Sequence, residues 1–329
     1  MNEEGFRKYL LENKVEDEIL QGYFVLLREF QEFLSKEGIS VDSLPEGKIN
    51  EYTEYLISNK NEKILEFLRA LISYSNFIEN YDLIIEIIDI AEAYNAMDNL
   101  YLRIGDEFRK EIRDEIFSNL DIPPLGAHPD KKPAFTEEIM KRMEAKIGEE
   151  KTIKLLAPCL HGRPVEPIKR DREDFLRLDD IDEFLKLKRK ELIERLEKHQ
   201  KEGTLEYAQY VDKDVVEFVR NNPTISPGKR DGNKIIATKI PYQVKRHLTT
   251  DDEKMKRYYS CYCSWVRGAM KKGEEKDISS NFCHCSAGFI MQYWEIIFDQ
   301  PVKVEPSETA LTGALLCTFE IDIPEEFQK

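Results

Sequence analysis

The sequence predicts an α+β protein: an N-terminal helical bundle followed by a C-terminal α/β domain with a small antiparallel sheet. Three observations carry this. Apolar residues recur at helical spacing through the first 118 residues. A proline-rich stretch then interrupts the pattern. The last hundred or so residues switch to short runs of alternating polarity bounded by turn residues.

In the first segment Phe24, Leu27, Phe30 and Leu34 mark one face of a helix, and Gly38 fits its stop. Ser43-Leu-Pro-Glu reads as the entry to a second helix with Ile49, Tyr52, Tyr55 and Leu56 on its apolar side. A third helix is expected over about 61–79 and a fourth over about 82–103. A fifth carries Phe108, Ile112, Ile116 and Phe117. Residues 119–135, with prolines and His128, read as a linker, and His128 as a loop histidine. The second domain is expected to span 136–329, with helices at about 136–149, 179–201, 212–221 and 285–299. Within it Lys234–Pro241, Val302–Pro306 and Leu315–Ile323 read as strands. In the last, Phe319, Ile321 and Ile323 alternate with polar residues.

Composition narrows the function. With 41% hydrophobic and 34% charged residues, the chain suits a globular protein. The net charge is −15 and uneven: 13 basic against 26 acidic side chains over residues 1–120, but 36 against 38 beyond. An acidic bundle repels phosphate backbones, so nucleic acid is an unsuitable partner. The longest apolar stretches, such as Leu83–Ile90, are interrupted by carboxylates, so no membrane span is expected. MNEEGFRKYL lacks the basic and apolar regions of a signal peptide, and a cytoplasmic location is expected. In a reducing cytosol, clustered cysteines serve as metal ligands or redox groups more often than as disulfides.

Cys261-Tyr-Cys263-Ser-Trp-Val-Arg267 is followed, after a 19-residue gap from Cys263, by Cys283-His284-Cys285-Ser-Ala-Gly288. On an extended backbone a C-x-C pair points both thiols to one side, so each pair can meet a single ion while His284 faces the other way. Zn²⁺ is the expected metal, and an iron–sulfur cluster the less favoured one. A reactive dithiol without metal is the alternative, with Arg267, Lys271 and Lys272 as neighbours that lower a thiol pKa. Cys159-Leu-His161-Gly-Arg-Pro adds a second Cys/His pair. It and His284 are candidates for extra ligands or for acid/base groups.

Two resemblances add to this. Phe6–Leu10, Gln21–Phe30, Phe33–Ile39 and Tyr52–Leu56 are similar to the SAM-like core-binding domain of phage-type integrases, which implies a helical shape. The acidic charge and the missing recombinase constellation separate this chain from DNA binding. The run from Cys283 through Trp294–Glu305 and Glu308–Gly313 to Cys317-Thr-Phe-Glu-Ile resembles the end of a 4-vinyl reductase domain. With the upstream Tyr-Cys-Ser-Trp-Val-Arg it also resembles an uncharacterised family of anaerobe proteins. The 4-vinyl reductase resemblance implies a small apolar or aromatic ligand beside a Zn²⁺ held by cysteines and a glutamate. The ligands it suggests are Cys283 or Cys285, Glu308 (or Glu305) and Cys317. Leu311 stands where the family often has a further cysteine, and Cys261 and Cys263 would replace that thiolate. Tyr258, Tyr259, Trp265, Arg267, Phe289 and Trp294 would line the pocket. The expected function is therefore a zinc-containing small-molecule-binding or sensory protein, with a homodimer as its assembly. The alternatives are a zinc- or thiol-dependent hydrolase or reductase, and a protein-interaction module built on the acidic bundle.

Overall fold

Asn2 accepts a hydrogen bond from the Gly5 N–H and so caps the first helix, α1 (Glu3–Glu12), whose first turn is acidic, as the helix dipole favours. In the computed structural model, which describes residues 1–328, α1 belongs to one of two compact units. This first unit is Met1–Tyr94 with Pro123–Pro129. It continues with α2 (Asp17–Ser35), α3 (Lys48–Ser58), α4 (Ile64–Phe77) and α5 (Tyr81–Ala91). Phe24, Leu27, Phe30 and Leu34 of α2 are all buried, as their spacing predicts. They join a core in which Phe6 meets Phe24 and Tyr74 edge-on, at 5.6 and 5.1 Å between centroids. Pro123–Pro129 returns to α3, where the Thr53 hydroxyl donates to the Gly126 carbonyl at 2.8 Å.

The helix expected over 82–103 is two helices. The chain leaves α5 at Glu92 (ψ 119°), passes through Ala93 at φ +49° and restarts as α6 (Ala96–Phe108). This divides the chain differently from a boundary at 118. α6 and α7 (Lys110–Ile116) fold with the second unit, Asn95–Ile122 and Asp130–Lys329. The proline-rich stretch is also not wholly a linker. α8 (Lys132–Ile147) starts inside it with Pro133 in its first turn, where a missing N–H costs nothing.

The second unit adds α9 (Glu149–Leu156), α10 (Val165–Leu178) and α11 (Ile181–Glu202). After a short hairpin, β1 (Leu205–Glu206) and β2 (Gln209–Tyr210), come α12 (Lys213–Asn221), β3 (Lys229–Asp231) and β4 (Lys234–Thr238). α13 (Val244–Thr249), α14 (Glu253–Ser260) and α15 (Arg267–Lys272) follow, then α16 (His284–Phe298), β5 (Val304–Glu308) and β6 (Thr318–Asp322). The four-stranded sheet has the order β3-β4-β6-β5, antiparallel throughout, so the α+β class holds. Ile235 pairs with Ile321 and Ala237 with Phe319. This places the buried residues of β4 and β6 in one core with Trp294, Ile297 and Phe298 of α16. Pro306 lies on edge strand β5, where its missing donor is tolerated. Among the described residues no helix is long and apolar enough to cross a membrane.

Candidate metal centre

Cys159, His161 and Cys285 bring their ligand atoms within 4.8 Å of one another, a grouping that can hold a metal ion. Two of them lie on the loop after α9, and the third is in the first turn of α16. Arg103 of α6 fixes the loop by donating to the carbonyls of Leu155, Pro158 and Cys159 at 2.5, 2.6 and 3.1 Å. Asn99 donates to the Leu160 carbonyl at 2.5 Å. On the other side the loop rests on the backbone of α16 at Gly288. A Cβ there would stand 1.7 Å from the Ala157 carbonyl oxygen and 2.7 Å from the Cys159 nitrogen, so only glycine permits the approach. Past His161 the loop turns at Gly162, φ +70°. The His161 ring stacks on Phe289, 5.6 Å between centroids.

The two sulfurs share a hydrogen bond, and their acidities diverge because of it. The Cys285 thiol, donating to Cys159, holds the Cys159 thiol well below its ordinary range; burial opposes this, and hydrogen bonding and charge from His161 assist it. The same hydrogen bond, followed by burial, pushes Cys285 upward. A divalent ion bound here would hold both sulfurs as thiolates beside the imidazole.

The other sequence-predicted residues divide around α16. Cys283 closes the helical turn Ser280–Cys283, so Cys283 and Cys285 sit on helical and not extended backbone. At about 100° per residue, two positions on are roughly opposite, not aligned. This is a correction to the strand-like reading of that C-x-C pair. Cys285 meets Cys159 and His161, whereas Cys283 interacts electrostatically with Cys317 and Cys263, and Cys261 with all three of these thiols. Burial and mutual repulsion push Cys261 up and push Cys283 to about 12, although the Thr309 side chain hydrogen-bonds to Cys283. Burial also raises Cys317, whose sulfur accepts from the Ala310 N–H at 3.4 Å.

His284 turns elsewhere. Its Nδ1 is 3.0 Å from the Asn281 carbonyl, and its Nε2 is 3.3 Å from the Glu305 carboxylate. Glu308 is exposed at the end of β5. Most of the aromatic set proposed for a pocket packs internally. Trp294 and Trp265 are each 1% exposed, Trp294 in the sheet core and Trp265 against Phe135. Tyr258 meets Tyr259 edge-on, and Arg267 is buried over Tyr242 and Tyr258. Phe289 touches the centre through His161.

Arg103, Asn99 and Gly288 play structural parts that the sequence reading did not assign. Gly288 had a visible signal, a glycine three residues after Cys285 in a helix. Arg103 and Asn99 had none, because they act across more than fifty residues of chain. None of the six cysteines forms a disulfide. No family model matches the chain, and no curated protein or solved structure matches it either.

Proposed function

We propose that this is a metal-binding protein whose Cys159–His161–Cys285 centre holds Zn²⁺ and keeps one coordination position for a small molecule. The convergence of three donors from two distant segments within 4.8 Å carries this reading. Tetrahedral zinc with Zn–S bonds of about 2.3 Å sets two sulfurs roughly 3.8 Å apart, so the group fits with little adjustment. Two thiolates neutralise the dication. The imidazole favours zinc over an iron–sulfur cluster, whose usual ligands are all thiolates. Three protein ligands are the number found in zinc sites that bind an exchangeable molecule. Cys159 and His161 are only half-buried, so a solute can reach the centre. When bound, the ion supplies a Lewis-acidic anchor. The resemblance of 283–323 to 4-vinyl reductase domains supports a ligand-sensing role for such an anchor, and Cys261, Cys263, Cys283 and Cys317 offer a second, all-sulfur candidate.

Elemental analysis of anaerobically purified protein, with thiol titration before and after chelation, tests the assignment. Cys285→Ser is expected to weaken zinc binding at this centre at least a hundredfold, and Cys283→Ser to leave it within a few-fold. Zinc retained by Cys285→Ser but lost from Cys283→Ser would move the centre to the all-sulfur group. Protein without bound metal, with all six thiols titrating freely, would refute the reading.

A further inference from the structure

Arg163 lies two residues beyond His161 on the loop that carries the candidate metal ligands. Its guanidinium lies over two rings of α16, 4.7 Å from the Phe289 centroid and 4.9 Å from that of Tyr293. Phe289 is also the ring on which His161 stacks, so one side chain touches both the metal-site imidazole and the guanidinium.

The use made of this arginine is unlike that of four other arginines in the unit. Arg103 is committed to three backbone carbonyls. Arg172 holds two carbonyls and Asp299, and Arg189 holds three carbonyls. Arg195 forms a fork with Glu206. Among the described residues, the Arg163 side chain makes no hydrogen bond and no ion pair. A nearby carboxylate, Asp171, interacts with it only electrostatically. Asp171 is already engaged by the Lys188 ammonium at 2.7 Å and the Tyr293 hydroxyl at 3.0 Å. Arg163 is thus a partly buried cation, fixed by stacking, with its N–H donors uncommitted.

We propose that the centre takes a small monocarboxylate, gripped by the Arg163 guanidinium while a second donor on the same molecule fills the open metal position. The proposal rests on the metal reading above. The two rings hold the guanidinium in place, and its uncommitted N–H groups suit a planar two-oxygen anion, which a carboxylate matches bidentately. Partial burial strengthens that pairing by lowering the local dielectric. Arg163 and Lys239, which lies 5.8 Å from the centroid of the same Phe289 ring, make the surroundings of the centre cationic and favour an anionic ligand. A ligand with an apolar body, as the sequence resemblance implies, gains a charged head under this reading.

Cobalt(II) in place of zinc gives a spectroscopic test on the full chain. The cobalt-loaded protein is titrated with mercaptoacetate and, separately, with 2-mercaptoethanol, a thiol of similar size without the carboxylate. Bound cobalt is measured after each titration. Wild type is expected to bind mercaptoacetate at least tenfold tighter than mercaptoethanol. Arg163→Gln is expected to erase that preference while keeping its cobalt stoichiometry and its mercaptoethanol affinity. Arg163→Lys, which keeps the charge but not the fork, should recover only part of it. Equal binding of the two thiols by wild type would overturn the proposal. So would a preference that persists in Arg163→Gln, because the metal alone would then be holding the carboxylate. Failure of the wild type to take up cobalt at all would remove the metal reading and this proposal together.

Discussion

The two units bury different chemistry. The first packs its helices around rings: Phe6 contacts Phe24, Tyr74 and Phe77, and Phe30 meets Tyr52 and Phe67. It contains no cysteine. The second holds all six, Cys159 and Cys285 in one group and Cys261, Cys263, Cys283 and Cys317 in another. In the first unit a stripe on each helix finds its neighbours, so local spacing determines what is buried. In the second, the chemistry depends on a loop meeting a helix backbone more than a hundred residues away. From this difference a ring core and a thiol centre are expected to fail differently. The first should lose packing in proportion to volume removed, and the second should lose its metal-binding geometry when a single approach distance changes.

Phe6→Ala should have the largest effect on stability. The ring is 0% exposed and contacts other rings around it, so truncation leaves a cavity worth about 3–5 kcal/mol. Denaturant unfolding followed by circular dichroism should show this loss, while zinc uptake by folded protein stays within a few-fold of wild type. A fall in zinc affinity as large as that of Cys285→Ser would erase the contrast between the units. Gly288→Ala comes next. The added methyl meets the Ala157 carbonyl, which belongs to backbone and cannot swing aside. A cost of about 1–3 kcal/mol is expected, together with a tenfold or greater loss of metal affinity as Cys159 is pushed from Cys285. Wild-type zinc affinity in that variant would show that the loop approach does not set the centre.

Much of the fold can be read from local pattern. The α2 stripe from Phe24 to Leu34, the alternation of Phe319, Ile321 and Ile323, and the extent of α16 all follow from period 3.6 or period 2. What escaped lacks a local signal. The break between α5 and α6 falls in Glu92-Ala-Tyr-Asn95, with neither glycine nor proline. α10 buries only Ile168 and Phe175 along a highly charged helix, too sparse a stripe to register. The site was legible as a set of residues but not as a partition. Cys159 and His161 were visible as a pair, and Cys285 as part of a cluster. Whether Cys285 joins Cys283 depends on the backbone state of residues 280–285, since C-x-C aligns its thiols in a strand and opposes them in a helix. That state is fixed by tertiary packing, which spacing alone does not encode.

The smallest effect we expect lies in the first unit and needs no metal. Glu86 of α5 is half-buried, and burial pushes its carboxyl up to about 7 despite a hydrogen bond from the Gly47 N–H at 3.1 Å; the nearby Glu46 and Asp89 charges add to the rise. Because the folded value lies above the unfolded one, the neutral form is favoured on folding. Its stabilising contribution is complete below about pH 4.5 and is lost as pH rises through about 7. Glu86→Gln keeps an acceptor for the Gly47 N–H and never ionises. Allowing for solvent screening at a partly exposed group, it should be more stable than wild type by on the order of 1 kcal/mol at pH 8. At pH 4 the two should coincide. Denaturant midpoints at the two pH values check this, and a gain of equal size at both would assign the effect to packing instead of charge.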